Sequence, residues 1–173
     1  YSIPDKLLFS DNYSYLSGNS KEKINNFESI LGKIKKYSKN DTPKILDIGS
    51  NDGSFLELAK KKNFEVLGIE PTNTAKISAQ KGINTIKKPL NFNLAKKIAK
   101  KYSKFDFVVA TNFFAQTNNL EEILNSVKLI LKKDGLLIVE VQYLYDLLLQ
   151  KGFDSLSITN ILHIIHYLQL LKF

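Results

Sequence analysis

The chain has 173 residues, 43% of them hydrophobic and 24% charged. That is enough for one domain with a core of its own and argues against disorder. The formal net charge is +8 and every basic residue outside the two histidines is lysine, while cysteine is absent, which excludes disulfides, thiolate catalysis and cysteine metal sites.

Residues 1–20 are polar and aromatic, with Tyr1, Phe9, Tyr13 and Tyr15, and read as an extended arm. From Ser20 onward Ile24, Phe27, Ile30, Leu31 and Ile34 share one face of a helix, which ends near Ser38 before the turn residues Asn40-Asp41-Thr42-Pro43. The period then changes. Lys44-Ile45-Leu46-Asp47-Ile48 reads as a strand, Phe55, Leu56, Leu58 and Ala59 as a helix face, and residues 64–70 as a second strand closed by Pro71. A short helix over 74–81 stops at Gly82, and residues 83–86 form a third strand. Leu94, Ile98 and Ala99 mark a helix, and residues 105–110 a fourth strand. Leu120, Ile123, Leu124, Val127 and Ile130-Leu131 mark a longer helix stopped by Lys132-Lys133-Asp134-Gly135, followed by a fifth strand over 136–141 and a helical pattern over 143–150.

Strands that alternate with helices, several of them continuously apolar, predict an α/β fold: a Rossmann-like, mostly parallel five-stranded sheet with helices on both faces. The expected organisation is an arm and helix over 1–40, the ligand-binding α/β domain over 41–152 and a separate tail over 153–173. The longest apolar runs are too short to cross a bilayer, so no membrane partner is expected. Scattered lysines without an Arg fork weigh against nucleic acid. A cytoplasmic location is the simplest fit. With no Met and a start at Tyr1, the chain reads as a piece of a longer reading frame or a trimmed one.

Ligands of open α/β sheets bind beyond the carboxyl ends of the strands. The first such end carries Asp47-Ile48-Gly49-Ser50-Asn51-Asp52-Gly53. Gly49 permits a tight turn and close approach of a ligand, and Gly53 opens the next helix. A dinucleotide site would place glycine where Asn51 stands, and Asp52 would repel a phosphate, so a cationic ligand suits this loop better. Glu70 follows at the end of the second strand, about 20 residues on, where a carboxylate can accept both hydroxyls of a ribose.

These motifs, together with Gly68-Ile69-Glu70-Pro71, Ala110-Thr111-Asn112-Phe113-Phe114-Ala115, Leu131-Lys132-Lys133-Asp134-Gly135 and Val139-Glu140-Val141-Gln142-Tyr143-Leu144, resemble class I S-adenosylmethionine-dependent methyltransferases. Within that class they resemble the branch that methylates a ring carbon of a keto-deoxysugar nucleotide, over roughly residues 9–155. The resemblance implies S-adenosyl-L-methionine as cofactor and a nucleotide-linked sugar as the small-molecule substrate. It implies that Asp47, Gly49, Ser50, Asn51, Asp52 and Gly53 hold the methionine portion, that Glu70 binds the ribose, that Pro71 and Leu90 flank the adenine, and that Asn112 and Phe113 close the site under the sulfonium. The segment Tyr13-Ser14-Tyr15-Leu16-Ser17 resembles the arm that covers the family's active site. Gln116 stands where the family tends to have His, and Gln142 where it tends to have Pro.

After Phe153-Asp154-Ser155 the family continues with a Tyr-His-Glu-His segment that carries the base, whereas this chain reads Leu156-Ser157-Ile158-Thr159-Asn160-Ile161-Leu162-His163. Read one base earlier, permitted codons for residues 158–161 give Tyr-His-Glu-His, so a shift of reading frame near residues 154–157 is expected. The alternative is an authentic amphipathic helix, since Ile158, Ile161, Leu162, Ile165 and Leu168 share a face. His163 and His166 lack a third metal ligand, so no metal site is expected. On either reading the family's last strands are missing, the fifth strand sits at an open edge that invites self-association, and no catalytic residue is assigned. The expected function is the cofactor-binding part of a carbon methyltransferase with impaired turnover. The rivals are a class I methyltransferase acting on RNA or another small molecule, and an inert fragment.

Overall fold

The computed structural model describes residues 16–114, 117, 119–142 and 160–166. The expected arm up to Tyr15 and the helix over 143–150 lie outside them. A single 3₁₀ turn, Ser17–Asn19, leads to Ser20, whose hydroxyl accepts from the Lys23 N–H at 3.2 Å and starts helix α1 (Lys21–Tyr37). Then follow β1 (Lys44–Ile48), α2 (Ser54–Lys61), β2 (Glu65–Ile69), α3 (Thr74–Gln80), β3 (Thr85–Ile86), α4 (Phe92–Tyr102), β4 (Phe105–Thr111), α5 (Leu120–Ile130), β5 (Leu131–Gln142) and β6 (Asn160–His166).

The strands form one sheet of order β3-β2-β1-β4-β5-β6. The first five are parallel, as predicted. The chain winds outward from β1 through β2 to β3, then returns to the other side of β1 for β4 and β5. The winding reverses between β1 and β4, so a crevice opens at their carboxyl ends.

Period-2 alternation divides the strand residues between two cores. Ile45, Phe107, Val109, Leu136 and Ile138 pack under α1 and α2, against Phe27, Ile30, Leu31, Phe55 and Leu56. Leu46, Ile48, Val108, Ala110, Leu137 and Val139 pack under α4 and α5, against Ala95, Ile98, Ile123, Val127 and Ile130. Both faces are covered, which is why the strands read as unbroken apolar runs.

Two expectations are corrected. Lys132-Lys133-Asp134-Gly135 do not separate helix from strand: α5 ends at Ile130 and β5 begins at Leu131, with the pairing to β4 slipping between Phe105↔Leu131 and Phe107↔Leu136. The tail is also not a helix over its described part. Residues 160–166 form β6, antiparallel to β5 in unbroken register from Leu136↔His166 to Gln142↔Asn160. A run containing Ile161, Ile164 and Ile165 fits either period, and β-branched residues favour the strand once an unpaired backbone edge is within reach. β5 therefore has neighbours on both sides, and the open edge expected there is covered.

Deleting residues 157–173 should expose that edge again. The expected outcome is a lower melting temperature and concentration-dependent light scattering relative to the whole chain. Equal melting temperature and equal scattering would show that β6 does not secure the edge.

Candidate functional site

The loop after β1 passes through left-handed backbone at three residues. Gly49 has φ 76° and Gly53 φ 75°, and between them Asn51 has φ 50°, a conformation asparagine tolerates better than most residues. The N–H groups of Gly49 and Ser50 both donate to the Ile69 carbonyl, at 2.8 and 3.1 Å, which fastens the loop to the end of β2. At Gly53 a Cβ would run into Ser78 of α3, its Cα only 3.2 Å away, so close packing as well as φ demands glycine there. At Gly49 a Cβ would stand 3.4 Å from the Phe113 ring, which lies over this turn.

Glu70 is buried at the end of β2 and fixes two loops at once. Its Oε2 accepts from the Asn51 N–H at 2.9 Å and its Oε1 from the Thr72 N–H at 2.8 Å. Asp52 has a different task. Its carboxylate receives the Lys81 ammonium at 3.0 Å, the Ser54 hydroxyl at 2.9 Å, the Ser54 N–H at 3.3 Å and the Gly18 N–H at 3.2 Å. The Ser17 N–H donates to Asn51 Oδ1 at 3.2 Å. The 3₁₀ turn before α1 is thus seated directly on the loop.

Asp47 precedes this turn, and Asp47 Oδ1 and Ser50 Oγ are buried without a hydrogen-bond partner. Such atoms cost about 1–3 kcal/mol each until a donor reaches them. Burial pushes the Asp47 carboxyl well above the ordinary carboxylate range; Glu70 adds to the shift, the Lys23 ammonium opposes it, and Glu140 adds again. Lys23 and Glu140 were not singled out in the sequence. Glu140, 1% exposed, accepts from Lys23 Nζ at 3.0 Å and from Asn26 Nδ2 at 2.7 Å. The signals were present: Glu140 is a charge inside an apolar strand, and Lys23 falls four residues before Phe27 on the apolar face of α1.

Asn112, φ 56°, donates its N–H to the Glu140 carbonyl at 2.8 Å and ends β4 beside the crevice. Phe113 meets Phe114 edge to face at 5.7 Å. Pro71 is half-buried after Glu70, and Leu90 packs into the core under α4 and α5. Asp47, Gly49, Ser50, Asn51, Glu70, Asn112 and Phe113 thus gather at one end of the sheet. Gln116 lies outside the described residues, and among those described no group of three metal-ligating side chains occurs. No described helix is long and apolar enough to cross a membrane.

Residues 14–170 match the methyltransferase-domain family. The chain belongs to that family. It is 28% identical over 156 residues to the C-methyltransferase NovU of Streptomyces niveus, a match that covers 89% of this chain and 37% of the relative, so the chain spans little more than a third of that protein's length. Among solved structures, the PH0226 protein of Pyrococcus horikoshii superposes with a TM-score of 0.61 at 22% identity, covering 87% of this chain and 71% of that one. The plantazolicin methyltransferase BpumL, solved with a desmethyl-plantazolicin analogue and S-adenosylhomocysteine, gives 0.61 at 21% identity over 88% of this chain and 59% of that one. A S-adenosylmethionine-dependent methyltransferase from Archaeoglobus fulgidus gives 0.53 at 23% identity, covering 67% and 53%. The fold is that of the class I methyltransferases.

Two outcomes follow from this geometry. Because the folded-state pKa of Asp47 lies above its unfolded value, its contribution to stability is full below the unfolded carboxylate pKa of about 4 and is lost as pH rises through the folded value. Asp47→Asn should therefore melt above the wild type at neutral pH, by about 1 kcal/mol in stability, with the difference vanishing in acid. Thermal melts across pH that ran parallel would remove the buried charge from the account. Glu70→Ala orphans the N–H groups of Asn51 and Thr72 and should cost about 2 kcal/mol of stability even without ligand. A denaturant midpoint equal to that of the wild type would show that these bonds do not hold the loops.

Proposed function

We propose that the chain binds S-adenosyl-L-methionine through the Asp47–Gly53 loop and Glu70, as part of an enzyme that methylates carbon on a small molecule. The observation that carries this reading is the buried Asp47 Oδ1, left without a hydrogen-bond partner beneath a loop whose Asp52 and Ser54 N–H groups are already bonded within it. The residues present suit the ligand: an ammonium or a sulfonium offers the positive charge that a buried carboxylate lacks. When bound, this cofactor supplies an electrophilic methyl group on sulfur.

The chain's own groups divide the work of binding. Asp47 and Ser50 take the methionine portion, with the backbone of Gly49 close beneath it. Glu70 keeps lone pairs on both oxygens after accepting from Asn51 and Thr72, and these face the ribose hydroxyls. Pro71 and Leu90 line the adenine side. Phe113 and Asn112 would close the site beside the methionine portion and keep water from it. The likeness to NovU, together with the motif resemblance, supports a nucleotide-linked keto sugar as substrate, with methylation of the carbon next to its carbonyl. No described residue stands out as the base for that carbon's proton, and the family's Tyr-His-Glu-His segment has no counterpart at residues 158–161. Cofactor binding without efficient turnover is the expected behaviour.

One observation favours a second reading, a methyltransferase acting on RNA. Residues 71–105 hold nine lysines and no acid, whereas the rest of the chain holds 16 lysines against 17 acids. Lys88, Lys96, Lys97, Lys100 and Lys104 of this stretch are exposed on α4 and the loops on either side of it.

Isothermal titration should give a saturable heat with S-adenosylmethionine and with S-adenosylhomocysteine. Gly49→Val, strained by about 1–2 kcal/mol at φ 76° and pressed against Phe113, should abolish it. Transfer of a labelled methyl group should be slow or absent with a nucleoside-diphosphate keto-deoxysugar and absent with RNA. No heat with either cofactor form would sink the cofactor reading; robust transfer to RNA would replace the sugar with the second reading.

A further inference from the structure

Three carboxylates lie near the carboxyl ends of β1, β2 and β5, on one face of the sheet. Asp47 pairs in register with Gly68 on β2 and with Val109 on β4. Glu70 lies two residues beyond Gly68, and Glu140 lies two beyond Ile138, the β5 partner of Val109. A separation of two keeps a side chain on the same face. Asp47, Glu70 and Glu140 therefore all face the α1 side, and all three are at most 5% exposed. Lys23 enters this row from α1. Its side chain is 10% exposed, its ammonium is 3.0 Å from Glu140, and it lies 5.5 Å from the centre of the Phe27 ring. The nearby Lys81 is committed to Asp52 and Ser54. From β4, the residues at this end of the sheet are Thr111 and Asn112, which carry no charge.

Resting on the cofactor reading above, we propose that Lys23 is a positioning residue for the cofactor: through its pair with Glu140 it sets the charge presented by Asp47 to the methionine portion, and so makes seating of the N-terminal helix a condition of binding. The two partners of this ion pair act on Asp47 with opposite sign. Lys23 favours its ionised form, and Glu140 disfavours that form both directly and by drawing the ammonium to itself. A bond that merely held α1 to β5 would behave differently, since breaking it from either side weakens the same contact.

That difference supplies the test. Affinity for S-adenosylmethionine is measured by titration calorimetry from pH 5.5 to about 9, a span chosen to bracket a raised carboxylate pKa, for the wild type, K23M and E140Q. Affinity should rise with pH as Asp47 ionises. In K23M the midpoint of that rise should move to higher pH, with about tenfold weaker binding on the acid side. In E140Q, which keeps an amide to accept from Asn26 and Lys23, the midpoint should move to lower pH. Midpoints that stay where they are in the wild type, or that move in the same direction in both variants, overturn the proposal while leaving the cofactor reading intact. If K23M does not fold, E140Q decides alone, and a midpoint that does not fall is a negative answer. A wild type that binds no S-adenosylmethionine at any pH fails the underlying reading, and the proposal fails with it.

Discussion

Ionised carboxylates are costly to bury, and this fold places several at the carboxyl end of its sheet. Each is accommodated in its own way. Glu70 accepts two backbone N–H groups and turns its cost into the anchoring of two loops. Glu140 takes an ammonium and an amide from α1. Asp52 collects a lysine, a serine and the N–H of Gly18. Asp47 alone of these four keeps a buried oxygen without a partner. The binding reading follows from that contrast, because the neighbouring acids show what satisfaction looks like in this site.

The same bonds explain why the N-terminal segment belongs to the site and is more than a cover. Ser17 and Gly18 donate to the loop, Ser20 caps α1 through the Lys23 N–H, and the Lys23 side chain reaches Glu140. A stretch of seven residues thus touches the β1–α2 loop and the end of β5. Gly18 has no room for a side chain, since a Cβ would run into the Ser54 hydroxyl and stand 2.8 Å from Asp52 Oδ2. The turn's close approach is what brings its N–H groups within reach.

Much of this was legible in the sequence, for reasons that can be located. Strands buried on both faces read as apolar runs, so β1, β2 and β4 fell where the composition put them. Gly49 makes the tight turn expected of it, Gly53 opens α2 where a side chain would meet Ser78, and Asn51 joins them at positive φ. What escaped was pairing over long distance. Lys23 stands out from the other lysines by its place on the apolar face of α1, but nothing in the sequence joins it to Glu140, 117 positions away. The tail escaped for a related reason. Ile161, Leu162 and Ile165 satisfy a helical period, and the deciding partner, the free edge of β5, is not written in the segment itself.

The character of the ligand follows from what the loop lacks. A pyrophosphate needs free N–H groups at a helix start and no acid beside them. Here the Asn51, Asp52 and Ser54 N–H groups are already bonded, and the first helical residue after Gly53 is hydrogen-bonded to the Asp52 carboxylate. Substituting a ligand phosphate would require breaking these bonds and placing its charge against Asp52 and Asp47. A cation meets no such obstacle. It finds Asp47 raised in pKa by burial and by Glu70, and its own charge reverses the effect that disfavoured ionisation. Binding and ionisation of Asp47 then reinforce one another.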